Sequence, residues 1–217
     1  MIRVVTDRQK QLLKIIYSSI KDEGFPPTLQ ELRGLLKVSS NQAVLDLLKA
    51  LEKKKLIKRE DKSARSILIL PLGYKTLDES PLFPVLGSAR AGAFTQALEL
   101  HGEWQQVSPD VIELQSRTYV IRVTGDSMIN AQIEDGCTLL VQETEHFSHK
   151  DIVIAGTPDG VTVKRFISQD SPPYMFLKPE NPKYENILFG DDIELQGKIV
   201  AKLEGEMWRA FKQGTLV

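Results

Sequence analysis

The chain has 217 residues, 41% hydrophobic and 26% charged, with 14 glycines, 11 prolines and a formal net charge of -1. That composition fits a folded protein of one or two domains and argues against a disordered tail or a fibrous repeat. No apolar run approaches the roughly 18 residues of a membrane span, Met1-Ile2-Arg3 does not open a signal peptide, and the single cysteine, Cys137, excludes an internal disulfide. With three scattered histidines, Cys137 makes no Cys/His zinc cage either. The expectation is a cytoplasmic protein with no metal, no cofactor and no membrane partner.

The near-neutral total conceals a division. Residues 1–75 carry 16 Lys and Arg against 8 Asp and Glu, a net of +8, while the remaining 142 carry 12 against 21, a net of -9. Two domains with different partners follow, the basic one suited to a polyanion.

In chain order, residues 6–23 read as a helix. Thr6 and Gln9 form a capping-box pair, Leu12, Leu13, Ile16 and Ile20 recur at helical spacing, and Gly24 stands at the C′ position. Pro26-Pro27 bars continuation. Thr28 and Glu31 cap a second helix carrying Leu29, Leu32, Leu35 and Leu36. A polar turn, Lys37 to Ser39, leads to a third helix from about Ser40 to Lys54, with Val44, Leu47, Leu48 and Leu51 on its apolar face. Leu56-Ile57 and Ile67–Leu70 then read as short strands around Arg59, Lys62 and Arg65, a hairpin with a basic tip.

Three helices plus this hairpin give a winged helix-turn-helix whose third helix enters the major groove of double-stranded DNA. The alternative is a three-helix protein-docking module with solvated lysines; the local charge favours DNA. Candidate base readers are Ser39, Ser40, Asn41 and Gln42 at the start of the third helix, with Lys62 and Arg65 of the wing on phosphates or in the minor groove. The serines serve equally well as helix caps. Leu45 is either a thymine-methyl contact or core.

Pro71 to Pro84, with three prolines and no periodicity, reads as an exposed linker. Beyond it short β-rich runs recur: Thr118–Val123, Thr138–Val141, Ile152–Ala155, Val161–Ile167, Met175–Leu177 and Ile193–Leu203. The fold class is therefore α+β with two domains: residues 1–70 a winged helix-turn-helix, 71–84 a linker, and 85–217 a mostly-β domain, a partly closed barrel.

Two segments of the β domain carry chemistry. Val123-Thr124-Gly125-Asp126-Ser127-Met128 presents a serine in a glycine-led turn, and Val161–Phe166 is a strand with Lys164 between apolar neighbours. Thr162, Lys164 and Phe166 share one strand face, which places an ammonium where it loses water. A serine hydroxyl becomes a nucleophile when a base takes its proton, and a lysine is such a base only if burial lowers its pKa. From spacing alone the pairing of Ser127 with Lys164 is a weak signal. There is no G-x-S-x-G elbow, and His101, His146 and His149 lie in polar stretches.

Taken together these segments resemble the LexA repressor family, bacterial regulators of the DNA-damage (SOS) response. The resemblance runs through PPTLQEL, LKALEKKKLI, VLGSARAGAF, VTGDSM, IEDGCTLLVQ, VTVKRF, LKPENPKYENI and IVAKL, in family order. The GDSM and VTVKR segments set Ser127 and Lys164 37 residues apart, a combination specific to this group of self-cleaving peptidases. The resemblance implies Ser127 as nucleophile and Lys164 as its neutral general base. It implies the Asp126 and Ser127 backbone amides as oxyanion donors and Ala91–Gly92 as the bond cut. It also implies stimulation by RecA filaments on single-stranded DNA, and a homodimer, formed through the C-terminal domain, on palindromic operator DNA.

The chain departs from the family pattern at Arg90 and Phe94 beside the scissile pair, at Lys55 where a glycine is usual, and at the apolar Leu45 and Leu47. Other functions remain open at this point. They are a repressor without efficient self-cleavage, a mobile-element or prophage repressor with the same peptidase domain, and a signal-peptidase-like enzyme, which needs a membrane anchor.

Overall fold

The computed structural model describes residues 4–59, 67–86, 103–107, 118–212 and 215–216. They divide into two compact units, the first from residues up to Pro84 together with 103–107, the second from Val85-Leu86 and from 118 onward.

In the first unit the caps set the helices. Helix α1 (Asp7–Glu23) begins after Thr6, whose hydroxyl accepts from the Gln9 N–H at 3.3 Å while the Gln9 side chain accepts from the Thr6 N–H at 3.2 Å. Gly24 closes it in the left-handed region, φ 83°. Helix α2 (Leu29–Leu36) repeats the reciprocal cap with Thr28 and Glu31, and α3 (Asn41–Lys53) starts at Ser40, whose hydroxyl accepts from the Ala43 N–H. Their apolar stripes meet in one core of Leu12, Leu13, Ile16, Ile20, Leu32, Leu36, Val44, Leu48 and Leu51, each at most 2% exposed. Strands β1 (Ile57–Arg59) and β2 (Ile67–Ile69) pair antiparallel and add Ile57, Ile67 and Ile69 to that core.

The expected linker is ordered structure instead. Helix α4 (Pro71–Leu77) buries Tyr74 and Leu77, and Tyr74 packs edge-on against Tyr17 with ring centroids 6.2 Å apart. Pro71 is its first residue, a position where the missing N–H costs nothing. A Cβ on Gly73 would lie 2.4 Å from the Leu56 carbonyl oxygen, so only glycine lets α4 come this close. Strand β3 (Leu82–Leu86) follows, and its Leu82–Pro84 pair antiparallel with β4 (Trp104–Gln106). The Trp104 indole N–H donates to the Gly24 carbonyl at 2.8 Å, and the Gln106 amide donates to the Tyr17 hydroxyl at 2.8 Å. Burial pushes the Tyr17 hydroxyl up to about 12, so it stays protonated throughout the ordinary pH range.

The second unit is a β structure. Strands β5 (Thr118–Arg122), β6 (Thr138–Gln142), β7 (Ile152–Thr157), β8 (Gly160–Ser168), β9 (Met175–Lys178), β10 (Ile187–Leu188) and β11 (Glu194–Glu204) form a sheet in the order β10-β9-β8-β7-β11-β6-β5. Neighbours are antiparallel, and Val85-Leu86 joins parallel to β5. Strand β12 (Met207–Lys212) pairs with β11, and β13 (Thr215–Leu216) with β12. The six β runs read from sequence fall within two residues of observed strands at each end. Strand β7 is buried on both faces. Ile152 and Ile154 join a core with Tyr119, Leu139, Val141 and Ile199, while Val153 and Ala155 pack with Phe166 and Leu177. This double burial explains its unbroken apolar run.

Candidate functional site

Ser127 lies in the turn that leaves β5. Gly125, at φ 98°, takes a conformation few side-chain-bearing residues adopt, and its N–H donates to Asp135 Oδ1 at 2.7 Å. Asp126 and Ser127 come next, and Met128, 1% exposed, plugs the core beneath them. Lys164 stands on β8, on the same face as Thr162, Phe166 and its cross-strand partner Val153. The fold brings the two residues together, with Lys164 Nζ 2.9 Å from Ser127 Oγ.

Lys164 is only 6% exposed. Its Nζ also reaches Thr162 Oγ1 at 2.6 Å and the Val163 carbonyl at 3.0 Å, so an ammonium here places all three protons. Burial pulls its pKa below the usual lysine value, because the charged form has given up water without gaining a carboxylate. Once neutral, the amine keeps two N–H donors and one lone pair. The Val163 carbonyl can only accept, Thr162 Oγ1 accepts the second donor, and the lone pair is left for the Ser127 hydroxyl proton. The geometry suits a serine–lysine nucleophilic pair.

The turn before the serine is held by groups the sequence reading passed over. Asn181, 5% exposed, donates from Nδ2 to the Asp126 carbonyl at 3.0 Å and to Asp126 Oδ2 at 3.1 Å. The Tyr184 hydroxyl donates to Asp126 Oδ1, and the Asn130 N–H donates to the Glu180 carbonyl at 2.9 Å. The Tyr184 hydrogen bond foremost holds the Asp126 carboxyl below its usual range, and the Asp126 amide contributes to the same effect. Only the resemblance of LKPENPKYENI marked this segment, because contacts across 55 and 58 positions leave no periodic trace.

In the first unit, Ser39, Ser40, Asn41 and Gln42 are all exposed at the start of α3. The Ser40 hydroxyl is spent as the helix cap, and the Gln42 amide donates to Asp46 one turn on at 2.8 Å. Leu47 packs against the core, while Leu45 is half-exposed. Arg59 is turned away from a wing role. Its Nε and backbone N–H both meet the Glu52 carboxylate, at 2.9 and 3.2 Å. Lys62 and Arg65, and likewise Arg90, Ala91, Gly92 and Phe94, lie outside the described residues.

Among the described residues no helix is long and apolar enough to cross a membrane, and no group of three or more His, Cys, Asp or Glu could hold a metal ion.

Comparison with known proteins matches both units. The LexA DNA binding domain family covers residues 2–66, and the Peptidase S24-like family covers residues 84–200. The chain is 34% identical over 197 residues to the LexA repressor of Ligilactobacillus salivarius, covering 89% of this chain and 94% of that one. It is 34% identical to the LexA repressor of Enterococcus faecalis, covering 89% and 92%, and 36% identical to LexA repressor 1 of Geobacter sulfurreducens, covering 89% and 94%.

Proposed function

The chain belongs to the LexA repressor family, with a LexA DNA-binding domain and a Peptidase S24-like domain, and from that premise we propose that it represses DNA-damage (SOS) genes and inactivates itself by cutting Ala91–Gly92 with Ser127 and Lys164. The observation that carries this reading is the 2.9 Å contact between Lys164 Nζ and Ser127 Oγ in a site where the lysine is 6% exposed.

The reaction runs through two steps. Neutral Lys164 accepts the Ser127 proton as Oγ attacks the Ala91 carbonyl carbon. The oxygen that becomes negative is stabilised by the Asp126 and Ser127 amides, which lie at the turn. The resulting ammonium gives its proton to the Gly92 nitrogen as the C–N bond breaks, leaving Ala91 as an ester on Ser127. Water, deprotonated by the same lysine, then hydrolyses that ester and frees Ser127. Every proton passes through Lys164, so no further base is needed.

On DNA, Ser39, Asn41 and Gln42 present donors and acceptors to the major groove, and Ser40 sets the start of the reading helix. Lys62 and Arg65 add phosphate or minor-groove contacts from the wing. A homodimer through the C-terminal domain places two such helices on the half-sites of a palindromic operator. RecA filaments on single-stranded DNA favour the cleavable arrangement without supplying a catalytic group.

The test is incubation of the purified full chain at alkaline pH with no partner, followed by mass spectrometry. Fragments 1–91 and 92–217 are expected, with Gly92→Asp blocking their formation, since a charged side chain obstructs the bend at the dyad. A different major cut, or none, overturns the assignment.

A further inference from the structure

The serine and the lysine come from elements far apart in the chain, and a third segment is bonded to both. It follows β9, which pairs with β8 through Arg165 and Lys178. On the base side, the Arg165 guanidinium, one residue after Lys164, forms an ion pair with Glu180 while both side chains are at most 20% exposed. Arg165 also donates to the Lys150 carbonyl at 2.8 Å.

On the nucleophile side, Asn130 takes the Glu180 carbonyl, Asn181 takes the Asp126 carbonyl and one carboxylate oxygen, and Tyr184 takes the other. The segment is itself rigid: the Asn181 side-chain oxygen accepts from the Lys183 N–H at 3.1 Å and its main-chain carbonyl from the Tyr184 N–H at 3.1 Å.

We propose that residues 180–184 are a brace that sets the distance between Ser127 and Lys164, with buried Asn181 as the positioning residue. This rests on the dyad reading above and adds a part to it. Asn181 touches none of the reacting atoms. It acts through Asp126, whose carbonyl it fixes one peptide away from the nucleophile.

The chemistry requires an amide at 181. Both Nδ2 protons are directed at Asp126 acceptors, and Oδ1 accepts a backbone N–H, so the side chain is fully satisfied. An aspartate there has no proton to donate and sets one carboxylate against another. The Tyr184 contact lowers the pKa of the Asp126 carboxyl and raises that of the Tyr184 hydroxyl, each owing chiefly to the other.

The brace also bears on how dry Lys164 stays, because Ser127, on the turn that it holds, is one of the three groups bonded to Nζ. Among the described residues its ammonium is bonded to the Ser127 and Thr162 hydroxyls and the Val163 carbonyl. The charged groups at the brace have other partners: Arg165 pairs with Glu180 and the Lys150 carbonyl, the Asp126 carboxylate accepts from Asn181 and Tyr184, and Lys183 acts on Asp126. Loosening the brace therefore changes the separation of the dyad and the wetting of the lysine together.

The experiment is unassisted self-cleavage of the full chain across pH, for wild type, Asn181→Ala, Asn181→Asp and Tyr184→Phe, with melting temperature and operator binding measured alongside. Asn181→Ala is expected to lower the alkaline plateau about tenfold or more, in the range that misplacement of reacting groups produces, and to move the midpoint of the pH profile upward as water reaches Lys164. Asn181→Asp is expected to be slower still.

Tyr184→Phe removes one exposed hydroxyl, folds regardless, and is expected to slow cleavage about two- to fivefold, the size of a single modest hydrogen bond. Rates that fall only in proportion to the folded fraction, with the midpoint unmoved, give Asn181 a purely structural role and overturn the brace. Wild-type rates in all three variants overturn it as well. A wild-type chain that does not cleave, or a Ser127→Ala chain that does, overturns the dyad itself and the brace with it.

Discussion

The two units bury different things. Among the described residues, the helical unit encloses an apolar core whose buried polar groups are the hydroxyls of Ser19, Tyr17 and Tyr74, and it shows its polar chemistry on the outside of α3. The β unit encloses Thr118, Asp151, Lys164 and Asn181, each at most 6% exposed. Recognition of a large polyanion needs donors and acceptors at the surface, where a groove can reach them. Proton transfer from a serine needs an amine stripped of water, which only an interior supplies. On the proposed function, one unit puts its stability into the core and its function on the surface, whereas the other accepts a buried ionisable group as the condition of its chemistry.

The largest effect that sharpens this contrast is on cleavage. Ser127→Ala is expected to reduce self-cleavage by on the order of 10⁴-fold or more, as removal of a nucleophile does elsewhere, while leaving operator binding at the wild-type level in a gel-shift titration. Loss of both functions together would show that the units do not work separately.

The converse substitution is in the helical core. Leu48→Ala opens a cavity beneath the reading helix at a residue 0% exposed and is expected to cost about 2–5 kcal/mol. Denaturant unfolding of the chain should show that unit melting early, with operator affinity falling and alkaline cleavage continuing. Cleavage lost in parallel contradicts the separation.

Much of the helical unit was legible because its signals are local. Thr6, Thr28 and Ser40 are caps in the sequence and caps in the structure. The segment from Pro71 to Pro84 departs from the linker expectation because a proline opens a helix as readily as it breaks one. Pro71 opens α4, and a helix of seven residues leaves too short a pattern for Tyr74 and Leu77 to show their common face. The brief Trp104-Gln105-Gln106 strand has no alternation to read.

At the site, the strand face carrying Lys164 was legible from period-2 spacing, but its meeting with Ser127 was carried by family resemblance. The Asn181 contacts left no mark, since tertiary hydrogen bonds between irregular segments have no period.

Smaller effects refine the surface half of the comparison. Ser40→Ala removes the α3 cap and is expected to destabilise the helical unit by about 1 kcal/mol. If Ser40 is only a cap, operator affinity at saturating folded protein stays unchanged; a larger loss, measured by titration below the melting range, assigns it to DNA as well.

Lys55 occupies a left-handed position, φ 57°, which explains why a glycine is usual there. Lys55→Gly relieves that strain at the cost of a more flexible unfolded chain, and the net gain is expected to be up to about 1 kcal/mol by thermal unfolding. A loss of stability would mean that the Lys55 side chain contributes more than its backbone costs.

The pH dependence of unassisted self-cleavage bears most directly on the central claim that a buried, neutral Lys164 takes the Ser127 proton. Because burial lowers its pKa, the active neutral form is gained as pH rises through a value below the ordinary 10.5. The rate should climb with pH and then level off, and Lys164→Arg should be inactive at every pH, since guanidinium keeps its proton. A profile that levels off near 6.5, where imidazole titrates, or a Lys164→Arg chain that still cleaves, would contradict the account.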